Sequence, residues 1–85
     1  MEIKLLYFAQ LREKFGRSGE TIQTPASVVT VSDLIEHLAA RGGAWQHELT
    51  TGISLKVAMD QELVGLDTVL RDSAEVAIFR PVTGG

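Results

Sequence analysis

The sequence predicts an α+β fold of two layers, with one main helix packed on one face of a mixed sheet of four or five strands. Three observations carry this expectation. Apolar residues alternate with a period of two near both ends of the chain and again past its middle, the spacing of half-buried strands. A single long amphipathic run, opening at Thr30, has the period of a helix. With 85 residues, 45% hydrophobic and 22% charged, the chain has the size and composition of one small globular domain.

In order, Glu2 to Phe8 alternates Ile3, Leu5 and Tyr7 with Glu2, Lys4 and Leu6 and reads as the first strand. Ala9 to Phe15 is built of good helix formers with Leu11 and Phe15 four apart, and Gly16 stops it. After the turn Gly16-Arg17-Ser18-Gly19, the run Glu20 to Thr24 carries one strongly apolar residue, Ile22, as an edge strand would. Thr30 followed by Asp33 fits a capped helix start, and Val31, Leu34, Ile35 and Leu38 then share one face while Asp33, Glu36 and Arg41 face water. Gly42-Gly43 ends this main helix.

Ala44 to Thr50 reads as a further short helical turn with Trp45 and Leu49 on one side. Ile53, Leu55, Val57 and Met59 alternate with Ser54, Lys56, Ala58 and Asp60, the clearest strand signal of all. A turn at Asp60-Gln61-Glu62 leads to a short strand at Leu63-Val64, and Gly65 to Asp72 is mostly irregular. Glu75 to Arg80 is the last strand, with Val76 and Ile78 on one face and Ala77 and Phe79 on the other. Strand, short helix, strand, main helix, strand, short strand, strand is the order of a β-grasp fold, in which first and last strands lie side by side at the sheet centre. Residues 1–80 form the domain and residues 81–85 an extended tail.

Composition removes several functions. A net charge of −3 gives no cationic field for a phosphate backbone, so no nucleic-acid partner is expected. No stretch approaches a membrane span or a signal segment, which sets the expectation of a cytoplasmic protein with no membrane partner. The absence of cysteine excludes disulfides, thiolate metal sites and an internal thiol nucleophile. His37 and His47 have no third ligand at metal spacing and read as exposed or simply hydrogen-bonded, so no metal site is assigned. Asp60, Glu62, Asp67 and Asp72 read as a solvated acidic face.

The carboxyl terminus stands apart. Two glycines end a random chain roughly once in 200, and here they follow the last strand directly through Pro81-Val82-Thr83. An extended arm from Pro81 to Gly85 reaches roughly 17 Å, and Pro81 restricts both its own backbone and that of Arg80. Lacking side chains, Gly84 and Gly85 suit a narrow channel in which the terminal carboxylate is activated. ATP converts such a carboxylate to an acyl-adenylate, which a sulfur nucleophile turns into a thiocarboxylate. A flexible end without chemistry is the alternative reading.

Phe8-Ala9-Gln10-Leu11-Arg12-Glu13 after the first strand, the Thr30-Val31 helix start, Trp45 after the main helix and the closing Phe79-Arg80-Pro81-Val82-Thr83-Gly84-Gly85 together carry a resemblance. The chain resembles the small, sulfur-carrying subunits of molybdopterin synthase, the MoaD type, which have a ubiquitin-like β-grasp fold. The resemblance implies that Gly85 is adenylated by an E1-like, MoeB-type enzyme that consumes ATP, then thiocarboxylated by a sulfur donor protein, no cofactor being held permanently. It implies that Arg80, Pro81, Val82, Thr83 and Gly84 insert into a large MoaE-type subunit within a heterotetramer. There sulfur passes to cyclic pyranopterin monophosphate, and two transfers build the dithiolene of molybdopterin. It also implies that Phe8, Arg12, Leu63 and Phe79 contact the partner, and that the chain is no enzyme on its own.

Two positions depart from the family pattern. Arg80 stands where the first of two prolines is usual, which loosens the tail or adds a contact to an acidic rim on the partner. Ser73-Ala74-Glu75 replaces a Gly-Asp-Glu turn. A thiamine-type sulfur carrier, a β-grasp interaction module with an unactivated tail, and protein conjugation through an isopeptide bond stay open as alternatives.

Overall fold

The computed structural model describes residues 1–50 and 55–81. Its elements are β1 (Glu2–Tyr7), α1 (Ala9–Phe15), β2 (Gly19–Gln23), α2 (Val31–Ala39), α3 (Gly43–Thr50), β3 (Lys56–Met59), β4 (Glu62–Val64) and β5 (Ala74–Phe79). The five strands form one mixed sheet in the order β2-β1-β5-β3-β4. β1 and β5 run parallel at its centre, in the register Ile3↔Ala74, Leu5↔Val76 and Tyr7↔Ile78. The other pairings are antiparallel, and β2 is an edge strand as expected.

Alternation along the central strands sorts side chains between two faces. Ile3, Leu5, Tyr7, Val57, Ala74, Val76 and Ile78 point into the core, each no more than 2% exposed. The helices cover that face, contributing Leu11 and Phe15 from α1, Val31, Leu34 and Leu38 from α2, and Leu49 from α3.

The start of α2 is fixed twice over. Thr30 Oγ1 accepts from the Asp33 N–H at 3.2 Å while the Asp33 carboxylate accepts from the Thr30 and Val29 N–H groups at 3.0 Å each, a complete capping box. These backbone hydrogen bonds, Thr30's foremost, hold the Asp33 carboxyl below the usual carboxylate range. The Val31 and Ser32 N–H groups donate to the carbonyls of Thr68 and Leu66, satisfying two donors that a helix start leaves free. The connection 65–72 is thereby tied to α2, and a bridge pairs Thr30 with Val69.

Most element boundaries differ from the sequence reading, those of β1, β2, β4 and β5 by one residue. α2 ends at Ala39 with Ala40 still right-handed, and Gly42 (φ 78°) and Gly43 (φ 54°) turn the chain directly into α3. α3 is a helix of 8 residues, starting one residue before the short helical segment expected over Ala44 to Thr50. β3 begins at Lys56, and Ile53 and Ser54 lie outside the described residues. The turn at Asp60-Gln61 is a two-residue hairpin with both residues left-handed, the geometry that twisted strands favour. Among the described residues no helix is long and apolar enough to cross a membrane.

Candidate functional site

The site is built where β5 ends. Even-numbered residues of β5 face the core, so Arg80, two past Ile78, emerges on the helix side, while Phe79 emerges on the opposite face. Arg80 pairs with Glu48 of α3 through Nη2, and its Nη1 donates to Gln10 Oε1 of α1 at 3.2 Å. Glu48 is buried, its side chain 5% exposed, with the imidazole of the exposed His47 3.7 Å from its other oxygen. The Nε–H of Arg80 finds no acceptor among the described residues. The last strand is thus anchored at its exit by side chains from two helices, immediately before Pro81.

Glu48 was not singled out by the sequence reading, and Gln10 stood there only as part of the motif carrying the resemblance, with no role of its own. A signal for Glu48 existed: at positions 45, 48 and 49, Trp45, Glu48 and Leu49 share one helical face, so a carboxylate interrupts an apolar stripe. Such a carboxylate needs a cation, and Arg80 at a core-parity position needs an anion.

The face of the sheet away from the helices carries the second part of the site. Register aligns Leu6 with Ala77, Ala77 with Ala58, and Ala58 with Leu63, an apolar row across β1, β5, β3 and β4. Phe79 lies beside Lys56 on the same face. Phe8, extended in backbone after Leu6, and Leu63 are 48% and 69% exposed, well beyond the usual lot of large apolar side chains inside a domain. Arg12, one turn into α1, donates its N–H to the Phe8 carbonyl at 3.4 Å and stays exposed. Phe8, Leu63 and Phe79 thus lie away from the core, with Lys56 as a cation beside Phe79. Val82, Thr83, Gly84 and Gly85 lie outside the described residues.

Other polar residues have structural partners. The Asp72 carboxylate accepts from the Glu2 N–H at 2.7 Å, and Asp60 accepts from the Glu75 N–H at 3.0 Å and pairs with Arg71. Among the described residues no group of three acidic or histidine side chains is arranged to hold a metal. Arg41, exposed as expected, also grips Glu20 with both Nη atoms at 2.7 and 3.0 Å, its guanidinium 4.4 Å from the centre of the Trp45 ring. Glu20 also accepts from the Tyr7 hydroxyl at 2.8 Å and from Arg17 at 3.1 Å. Burial opposes the charge on Glu20, but hydrogen bonds from Arg41 and Tyr7 outweigh it and hold the pKa below the ordinary value. Burial, then the bond to Glu20, pushes the Tyr7 phenol up. Trp45 stacks on Phe15 at 3.8 Å between ring centres and meets Tyr7 edge-on at 5.5 Å.

A mixed sheet with parallel central strands and helices on one side, with the last strand running out of the sheet centre, defines a ubiquitin-like β-grasp protein. The chain belongs to the ThiS family, whose family model matches residues 5–85. It is 43% identical over 83 residues to the molybdopterin synthase sulfur carrier subunit of Escherichia coli K12, covering 98% of this chain and 99% of that one. Its fold is similar to a putative molybdopterin converting factor subunit 1 from Pyrococcus furiosus, with TM-score 0.78, 26% identity and coverage of 96% and 99%. It is also similar to a chain in the complex of subunits 1 and 2 of the Helicobacter pylori molybdopterin-converting factor, with TM-score 0.66, 19% identity and full coverage of both chains.

Proposed function

We propose that this chain is a sulfur carrier whose C-terminal carboxylate is activated and sulfurated, and that it serves as the small subunit of a molybdopterin synthase. The observation that carries the reading is that the Val82-Thr83-Gly84-Gly85 sequence follows the central strand β5. β5 is anchored at its exit through Arg80 and lies in an apolar row that no helix of the described structure covers.

The chemistry follows from a terminal carboxylate. A carboxylate oxygen of Gly85 attacks the α-phosphorus of ATP held by an adenylating partner of the MoeB type, and pyrophosphate leaves. The terminal sulfur of a donor protein's persulfide then attacks the acyl carbon and AMP leaves; a thiol next attacks the donor's own sulfur in the resulting acyl disulfide, forming a disulfide with it, and the thiocarboxylate leaves. In the large MoaE-type subunit this sulfur attacks a carbon of cyclic pyranopterin monophosphate as a bond from that carbon to oxygen breaks, and water then cleaves the acyl–sulfur bond, leaving sulfur on the pterin and returning the carboxylate. Two such transfers make the dithiolene. Phe8, Leu63 and Phe79, with Arg12, dock on the large subunit, while Arg80 to Gly84 lead the carboxylate into its channel. Two small subunits at the ends of a large-subunit dimer complete the assembly. The small subunit supplies sulfur and no catalytic side chain, and works in the cytoplasm.

The test is intact mass before and after incubation with ATP, the adenylating enzyme and a sulfur source. The expected result is a shift equal to one oxygen replaced by sulfur, lost entirely when Gly85 is deleted, with the melting temperature unchanged. No shift, with an enzyme competent on another carrier, overturns the reading. Binding to a MoaE-type subunit then separates molybdopterin synthesis from a thiamine-type pathway.

A further inference from the structure

We infer that Glu48 is a positioning residue for the C-terminal arm: by holding Arg80 against α3 and α1, it sets the direction in which the chain leaves the sheet at Pro81. This rests on the carrier reading above, since it assigns a role in presenting the carboxylate that reading uses.

Arg80 is the first residue beyond β5, where the ladder of the sheet no longer fixes the backbone. A lone arginine there would turn to water and the chain would pivot with it. Instead its guanidinium is held by Glu48 from α3 and by Gln10 from α1, so that two elements separated widely in sequence fix one side chain. Burial of Glu48 makes the contact hard to open, because a carboxylate 5% exposed has little water to replace its arginine. Pro81 supplies the complementary restraint on the backbone, fixing its own φ and keeping Arg80 extended. Side chain and backbone of the same residue are therefore both held, and the ordering cost at Arg80 is met before docking.

A contact to an acidic rim on the partner is the competing role for Arg80, and the two roles respond differently to Glu48. Freeing Arg80 from Glu48 weakens presentation if the clamp matters, and leaves or improves partner contact if it does not.

The experiment measures ATP–pyrophosphate exchange by the adenylating enzyme at increasing concentrations of the full-length carrier. Wild type is compared with Glu48→Gln. Glu48→Gln is expected to raise KM about tenfold, the order expected for freeing the backbone of one residue, with kcat within about twofold. Melting curves verify that the variant is folded. An unchanged KM in Glu48→Gln overturns the assignment.

A second measurement is independent of the chemistry. The 15N order parameter of the Arg80 Nε–H is expected to be well above about 0.6 in wild type and to fall in Glu48→Gln; a low value in wild type overturns the clamp. Absence of exchange with wild type, using an enzyme active on another carrier, instead overturns the carrier reading and with it any role of Glu48 in presentation, while the relaxation measurement still decides whether the clamp exists.

Discussion

Glu20 and Glu48 are both carboxylates largely withdrawn from water, 14% and 5% exposed at the side chain, and both meet an arginine from a distant part of the chain. Glu20 is a hub: Tyr7, Arg17 and two nitrogens of Arg41 converge on it, joining β1, β2 and the end of α2. Glu48 has one arginine, with a histidine at the margin. Redundancy suits a joint that holds a fold together, because no single loss leaves the charge bare. A single contact suits a joint that holds one thing in one direction.

The largest expected effect comes from the joint without redundancy. Arg80→Ala leaves Glu48 charged, buried and without its guanidinium, a situation that costs about 3 kcal/mol, measurable by urea unfolding. Glu20→Ala is expected to cost less, about 2 kcal/mol, most of it from stranding the Tyr7 hydroxyl, since Arg41 and Arg17 can turn to solvent. Should Glu20→Ala prove the more damaging of the two, the contrast drawn here between hub and single contact is wrong.

The same hub gives stability a pH dependence of known sign. Folding lowers the pKa of Glu20 from an ordinary value of 4.5, so its contribution is complete above that pH and is lost as pH falls through the lower folded value. Glu20→Gln is therefore expected to be less stable than wild type at neutral pH and to lose less stability between pH 5 and pH 3, read from unfolding curves across that range. The smallest effect belongs to Arg17→Ala, below about 0.5 kcal/mol, because Arg17 is half exposed and Arg41 keeps the carboxylate paired.

Much of the architecture was legible because it is local. The alternation of Ile3, Leu5 and Tyr7, the Thr30–Asp33 capping box and the parity that separates Ile78 from Phe79 each need only a few neighbouring residues to be read. The outward position of Phe8 followed from the same parity, and that of Leu63 from the resemblance alone. What escaped was tertiary. Arg41 reads as a solvated residue, which it is, but only the fold brings Glu20 and Trp45 to it, and the partner of Arg80 lies 32 residues away on α3. Periodicity says which way a side chain points, but only the packing of helix on sheet says what it meets.

The parallel pairing of β1 with β5 has a consequence for the timing of folding. Until residues 74–79 are available, β1 has β2 on one side and nothing on the other, and the β3–β4 hairpin has no neighbour to join. Ile3 must wait for Ala74 before either is buried, and such non-local pairing slows folding. The strand that closes the core is also the strand from which the arm departs. A chain truncated before Ala74 therefore lacks both the finished sheet face and the carboxylate, so a partner that docks on that face meets only chains that carry the whole last strand.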